Sequence, residues 1–136
     1  MDYQKIIDFR NNSEGFTMVN GIKITKVSEG YAEGEIIITD KHLNMSKGIH
    51  GGCIFSLADS VAGSAVWSRG TKATTSNSNI SFLRPTFGVK KLIAKAREIK
   101  YGKNLLVYEV DVEDEKNRLI ARATVTYFNL KEELNL

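Results

Sequence analysis

The sequence predicts an α+β fold in which one long apolar helix packs on an antiparallel sheet. Three observations carry this. Apolar residues between positions 54 and 65 fall at helical spacing,. Four runs of alternating apolar and polar residues follow, joined by turn-forming residues,. No strand–helix–strand repeat appears, which argues against a parallel doubly wound sheet.

Each element can be justified in order. Tyr3 to about Arg10 reads as a short amphipathic helix with Ile6, Ile7 and Phe9 on its apolar side. Asn11 to Gly15 reads as a turn. Ile22, Ile24 and Val27 mark a first strand, and Tyr31 to Thr39 a second, with Glu29-Gly30 as the hairpin turn between them. From Asp40 to His50 the pattern stops, and His42, Asn44, Ser46, Lys47 and Gly48 form a loop. A long helix begins near Gly51. Ile54, Leu57, Ala58, Val61 and Ala65 share one face of it,. Ala58, Ala62, Gly63 and Ala65 are small enough for a sheet to approach closely, and Arg69-Gly70 ends the helix.

The remainder is strands. Thr74 to Leu83 is the third and ends at Arg84-Pro85. Leu92 to Tyr101 is the fourth, with a turn at Gly102-Lys103-Asn104. Leu106, Tyr108, Val110 and Val112 define the fifth, Asp114 to Asn117 a hairpin, and Leu119 to Tyr127 the sixth. A sheet of this kind curled around one apolar helix is a hotdog, although the same order permits other α+β folds. The 136 residues suit a single domain, residues 1–136, with 1–20 as a helix and lead-in,.

Composition excludes several classes. Hydrophobic residues make up 42% and charged residues 26%, as in ordinary globular chains,. A net charge of +3 is mildly basic and would favour an anionic ligand,. No basic run supports nucleic-acid binding; the densest pair is Lys90-Lys91. One cysteine, Cys53, excludes an internal disulfide,. The first ten residues lack the apolar stretch of a signal peptide, and no run is long enough to span a membrane. A cytoplasmic protein is expected, with no membrane partner.

The chemistry concentrates between His42 and Asp59. The first N–H groups of a helix have no partner within it, and with the helix dipole they favour negative charge. Gly51 and Gly52 would leave those groups uncovered. A thioester carbonyl placed there would be polarised and its oxyanion stabilised, or the glycines merely permit a tight turn. Asp59 lies at the edge of the apolar helix face. It could be a nucleophile or general base, or a salt-bridged surface residue. His50 could transfer protons or orient the loop, and Asn44 could hold the loop or position water. Cys53 could be a nucleophile or a small core residue. His42, His50, Cys53 and Asp59 match no metal-site spacing.

Distance adds a constraint. Eight residues of helix rise about 12 Å, more than an aspartate side chain reaches. If Gly51 and Asp59 both act on one carbonyl, they must come from different subunits.

The run His42-x-Asn44-x-x-x-Gly48-x-His50-Gly51-Gly52-x-x-Phe55-x-Leu57-Ala58-Asp59 resembles the signature of hotdog thioesterases of the phenylacetate-degradation type. Asn79 to Pro85 is similar to that family's third strand, and the likeness extends from about Gly21 to Leu130. The resemblance implies acyl-coenzyme A hydrolysis without metal or redox cofactor, and a dimer of dimers with active sites at subunit interfaces. It implies that Gly51 polarises the carbonyl and that Asp59 of the facing subunit is nucleophile or base. Asn44 and His50 would position substrate, water or loop, and Thr75 would help hold the water. One departure stands out: three residues separate Asn44 from Gly48 where relatives often have two, so the glycine is displaced by one place.

Coenzyme A contacts are less legible. Gly52, Arg84, Lys100 and Lys103 are candidates, the basic ones for the phosphates. The acyl group would be aryl or medium-chain, in a pocket reaching Trp67. Two alternatives remain open at this level: a hydroxyacyl-thioester dehydratase using His50 with Asp59, and a non-catalytic acyl-CoA sensor.

Overall fold

The computed structural model describes residues 1–136. Helix α1 (Tyr3–Asn12) opens the chain, capped by the Asp2 carboxylate, which accepts the Gln4 N–H at 3.1 Å,. A single turn, α2 (Phe16–Val19), follows. Strands β1 (Lys23–Ser28) and β2 (Tyr31–Ile37) form a hairpin whose turn places Gly30 at φ 68°, a conformation open to glycine,. A loop with a short 3₁₀ turn at Asp40–His42 leads to helix α3 (Gly51–Trp67). Strands β3 (Thr71–Phe82), β4 (Lys91–Tyr101), β5 (Leu105–Asp114) and β6 (Leu119–Glu133) complete the chain.

The six strands form one sheet in the order β1-β2-β4-β5-β6-β3, with every neighbouring pair antiparallel. The connection from β2 to β3 therefore crosses from near one edge to the opposite edge, and α3 is that crossing. The arrangement is the α+β hotdog expected from the sequence: a six-stranded antiparallel sheet with a long central helix.

Packing follows the predicted periodicities. Leu57, Ala58, Val61, Ala62 and Ala65 of α3 are fully buried. They meet the inward residues of the strands, among them Ile36, Leu92, Ala94, Val110 and Val112, also fully buried. Each larger side chain so buried contributes about 1.5–3 kcal/mol. Gly34 of β2 shows how tightly helix and sheet approach. A Cβ there would lie 2.6 Å from Val61 Cγ2 and 2.9 Å from the Lys23 carbonyl oxygen.

Several elements differ from the sequence expectation; β2, for one, ends at Ile37 and not at Thr39. Asn11 and Asn12 extend α1, because Asn11 is tied to β1: its amide donates to the Ile24 carbonyl and accepts the Ile24 N–H, both at 2.8 Å. The turn α2 is too short to show periodicity, and its Phe16 and Val19 are exposed. Strand β3 begins at Thr71 and β6 runs to Glu133, since these polar ends pair with one another, Thr71 opposite Glu133 and Ala73 opposite Asn129. Cross-strand pairing, not residue preference, extends them.

Candidate active site

The loop before α3 is built from side-chain hydrogen bonds to its own backbone. The Asn44 carbonyl oxygen accepts the N–H groups of Ser46 at 2.9 Å and Gly48 at 3.2 Å. The Asn44 N–H donates to the Gly48 carbonyl at 2.8 Å. Buried Thr86 accepts the Ile49 N–H at 2.8 Å. His42 is buried and bridges two segments: its Nδ1 accepts the Thr39 N–H at 3.0 Å, and its Nε2 donates to the Asn20 carbonyl at 2.8 Å. The left-handed residue of this loop is Lys47, at φ 70°, and not Gly48. The displaced glycine therefore leaves a lysine to adopt the conformation that favours glycine.

His50 caps α3. Its Nδ1 accepts the Gly52 N–H at 2.8 Å, while its carbonyl accepts the Cys53 N–H at 2.9 Å and the Ile54 N–H at 3.4 Å. Of the first four residues of α3, only Gly51 keeps an N–H with no partner in the chain. A Cβ on Gly51 would sit 3.2 Å from the Phe82 ring, so the aromatic edge of β3 lies over this helix start. Gly51 lines a cleft of about 300 Å³ with Asn44, Arg84, Phe82 and Phe87. His50 and Gly52 open instead onto a neighbouring cleft with Lys41 and Ser56. Gly52 thus has its N–H occupied by His50. Cys53 is buried, and burial pushes its thiol up to about 11, so it behaves as a core residue,.

Asp59 lies farther along α3, on the wall of a different cavity of about 310 Å³ that also includes Arg10, Gly63, Trp67, Thr75 and Tyr127. Two hydroxyls hold it. Thr75 Oγ1 donates to Asp59 Oδ1 at 3.0 Å. Tyr127 OH lies 2.8 Å from the Asp59 carbonyl oxygen and 3.1 Å from Oδ1. Register explains this convergence, because Thr75 of β3 stands directly opposite Tyr127 of β6,. Burial, then the nearby Asp59 charge, raises the Tyr127 phenol well above its ordinary value, which keeps it protonated and donating,. Oδ1 thus receives both donors and Oδ2 none. The carboxylate has a fixed orientation and one oxygen open to the cavity.

The structure brings Asp59 and Thr75 together, as it does Gly51, Asn44 and Arg84. Within one chain it does not join the two groups. Lys100 and Lys103 lie at the β4–β5 hairpin, are exposed, and line neither cavity. Two residues at Asp59 escape a reading of the sequence. Tyr127 carried a signal, because alternation places its phenol on the apolar face of β6 beside Val125, where a hydroxyl needs a partner. Arg10 carried none, since it reads as the charged end of a surface helix.

Residues 47–121, more than half of the chain, match the model of the thioesterase superfamily. The acyl-coenzyme A thioesterase PaaI of Escherichia coli K12 is 36% identical over 101 residues, covering 74% of this chain and 72% of that protein. The solved structure of the E. coli PaaI protein, from the phenylacetic acid degradation operon, superposes with a TM-score of 0.90 at 27% identity. It covers 98% of this chain and 96% of that one. A hypothetical thioesterase protein from Streptococcus pneumoniae TIGR4, solved with coenzyme A, superposes with a TM-score of 0.78 at 26% identity, covering 83% and 91% of the two chains. Sheet topology, helix and the segment from His42 to Asp59 therefore converge on one assignment: the chain belongs to the thioesterase superfamily and is a hotdog-fold thioester hydrolase.

Proposed function

We propose that this protein, a single domain over residues 1–136, hydrolyses the thioester of an aryl- or medium-chain acyl-coenzyme A, giving the free acid and coenzyme A. The observation that carries the mechanism is the Asp59 carboxylate, held through Oδ1 by two hydroxyls with Oδ2 facing a cavity. The similarity to an acyl-coenzyme A thioesterase and to a coenzyme A complex supports the substrate class.

The site is shared between two subunits. Helix α3 is unbroken from Gly51 to Trp67, so Gly51 and Asp59 stand about 12 Å apart along its axis. The Gly51 N–H of one subunit binds the thioester oxygen and stabilises the charge that develops there. Asp59 of the partner subunit acts on the carbonyl carbon, either by direct attack or by deprotonating a water, and Thr75 helps place that water. Asn44 holds the loop that presents Gly51, His50 caps the helix, and Arg84 in the Gly51 cleft meets a coenzyme A phosphate. Two features support association of chains. Strand β3 is an edge of twelve residues with an open row of backbone groups,. Phe82 and Phe87, which line the Gly51 cleft, are more than half exposed,. A dimer of dimers is the assembly expected.

The test is a panel of acyl-coenzyme A esters assayed for released thiol, with wild type and Asp59→Asn. Wild type is expected to turn over and Asp59→Asn to lose at least about 100-fold in kcat. Full activity in Asp59→Asn sinks the mechanism, and binding of every ester without turnover favours a sensor. A stable active monomer in solution is incompatible with the shared site. Acid quench and intact-mass measurement separate the two roles of Asp59, since only direct attack leaves an acylated enzyme.

A further inference from the structure

The cavity beside Asp59 contains a charge that the proposed thioester chemistry does not use. Arg10, near the end of α1, lines it together with Gly63 and Trp67. Its guanidinium lies 4.1 Å over the Trp67 ring, and its Nε is sealed from solvent with no hydrogen-bond partner. Asp59 and Tyr127 act on it only through space, without a hydrogen bond, and burial pulls its pKa below the ordinary arginine value,. Arg10 is part-buried, and its Nη groups are neither sealed nor met by any acceptor of the chain, so they are free to bind a ligand,.

We propose that Arg10 binds a carboxylate at the far end of the acyl group, so that the preferred substrate is a monothioester of a dicarboxylic acid. This rests on the acyl-coenzyme A thioesterase reading of the same site. Trp67 covers one face of the guanidinium, leaving its edge for a ligand. That edge is a planar row of N–H donors, which two carboxylate oxygens match in both shape and charge. A hydroxyl or a bare methyl end satisfies at most one donor and no charge.

The spacing sets the length of the acyl group. Gly63 follows Asp59 by one helical turn, about 6 Å along α3. Arg10 Nη2 lies over it, 3.0 Å from where a Cβ would stand, so the missing side chain is what admits the guanidinium. With its carbonyl carbon at Asp59, an extended chain of about five or six carbons brings its end to Arg10. The linear dicarboxylic acids of that length are the class expected.

The experiment compares kcat/KM for adipyl-, hexanoyl- and phenylacetyl-coenzyme A in wild type, Arg10→Met and Arg10→Lys. Wild type is expected to favour adipyl over hexanoyl by about 30-fold or more. Arg10→Met is expected to bring that ratio below about 3, and Arg10→Lys to retain part of it, because the cation remains but the planar edge is lost. The wild-type ratio decides the matter even if Arg10→Met does not fold. Equal or faster hydrolysis of hexanoyl or phenylacetyl thioesters overturns this inference alone and leaves the thioesterase reading standing. A preference unchanged in Arg10→Met also overturns it. An enzyme inert on all three but active on another ester of the panel overturns this inference alone; one inert on the whole panel overturns both.

Discussion

Removing the Tyr127 hydroxyl tests whether the orientation of Asp59 matters to catalysis. Tyr127→Phe keeps the ring in place and deletes one donor. That donor is shared between the Asp59 carbonyl at 2.8 Å and Oδ1 at 3.1 Å. A hydrogen bond to a charged group is worth about 1.5–3 kcal/mol, and a proton split between two acceptors argues for the low end. Thr75 still holds Oδ1 at 3.0 Å, so the carboxylate is loosened and not released. A loss of about 1.4 kcal/mol is tenfold in rate. We therefore expect kcat to fall about tenfold with KM within about twofold, since the loss affects orientation more than binding. Stability should fall by about 1 kcal/mol. Thr75→Val should behave similarly, and the double variant should lose more than either alone. Thiol-release kinetics measure the first quantity and urea unfolding the second. A Tyr127→Phe protein with wild-type kcat and reduced stability would refute the reasoning, because the phenol would then serve packing only.

Four further expectations concern the fold. Gly34→Ala should cost about 1–3 kcal/mol in urea unfolding, because its Cβ would fall 2.6 Å from Val61 Cγ2 and 2.9 Å from a backbone oxygen,; an unchanged midpoint would mean that helix and sheet can separate freely. Lys47→Gly should stabilise the protein by up to about 1 kcal/mol by relieving its left-handed backbone at φ 70°,. Gly48→Ala should stay within about 0.5 kcal/mol of wild type, since its nearest neighbour, Thr86 Oγ1, would be at an ordinary 3.4 Å. Stability should fall with alkali. Burial, then hydrogen bonding to Glu33, pushes Tyr31 up to about 12, and burial followed by a nearby carboxylate raises Tyr108 and Tyr127. A folded-state pKa above the unfolded value near 10 keeps its stabilisation below that pH and loses it as pH rises further. Unfolding curves from pH 8 to 11 should be flat until about pH 10 and then decline, with tyrosinate absorbance of these groups appearing late.

Much of this architecture is legible because two periodicities are local. The stripe from Ile54 to Ala65 needs only helical spacing to declare a buried face, and all five of its residues are buried. The alternation from Leu92 to Tyr127 likewise needs only a pleated strand. The half of the proposed site near Gly51 is legible for a related reason. Helix starts expose N–H groups by geometry alone, and the His-Gly-Gly run sits where such a start is expected. Boundaries set by pairing, such as Thr71 against Glu133, are not legible, since neither partner shows a preference that the other does not supply.

What the sequence determined by itself is therefore the fold class, the position of the long helix, and the pair Gly51 and Asp59 as residues too far apart to act together in one chain. The first follows from the order of the elements, the other two from spacing along one helix. What only the tertiary structure decided is the company that Asp59 keeps. Thr75, Tyr127 and Arg10 come from three elements, separated from it by 16, 68 and 49 positions in the chain. Strand register brings the first two to its carboxylate, and the docking of α1 beside α3 brings the third to its cavity. Such convergence depends on how elements pack, and no local pattern of side chains encodes it.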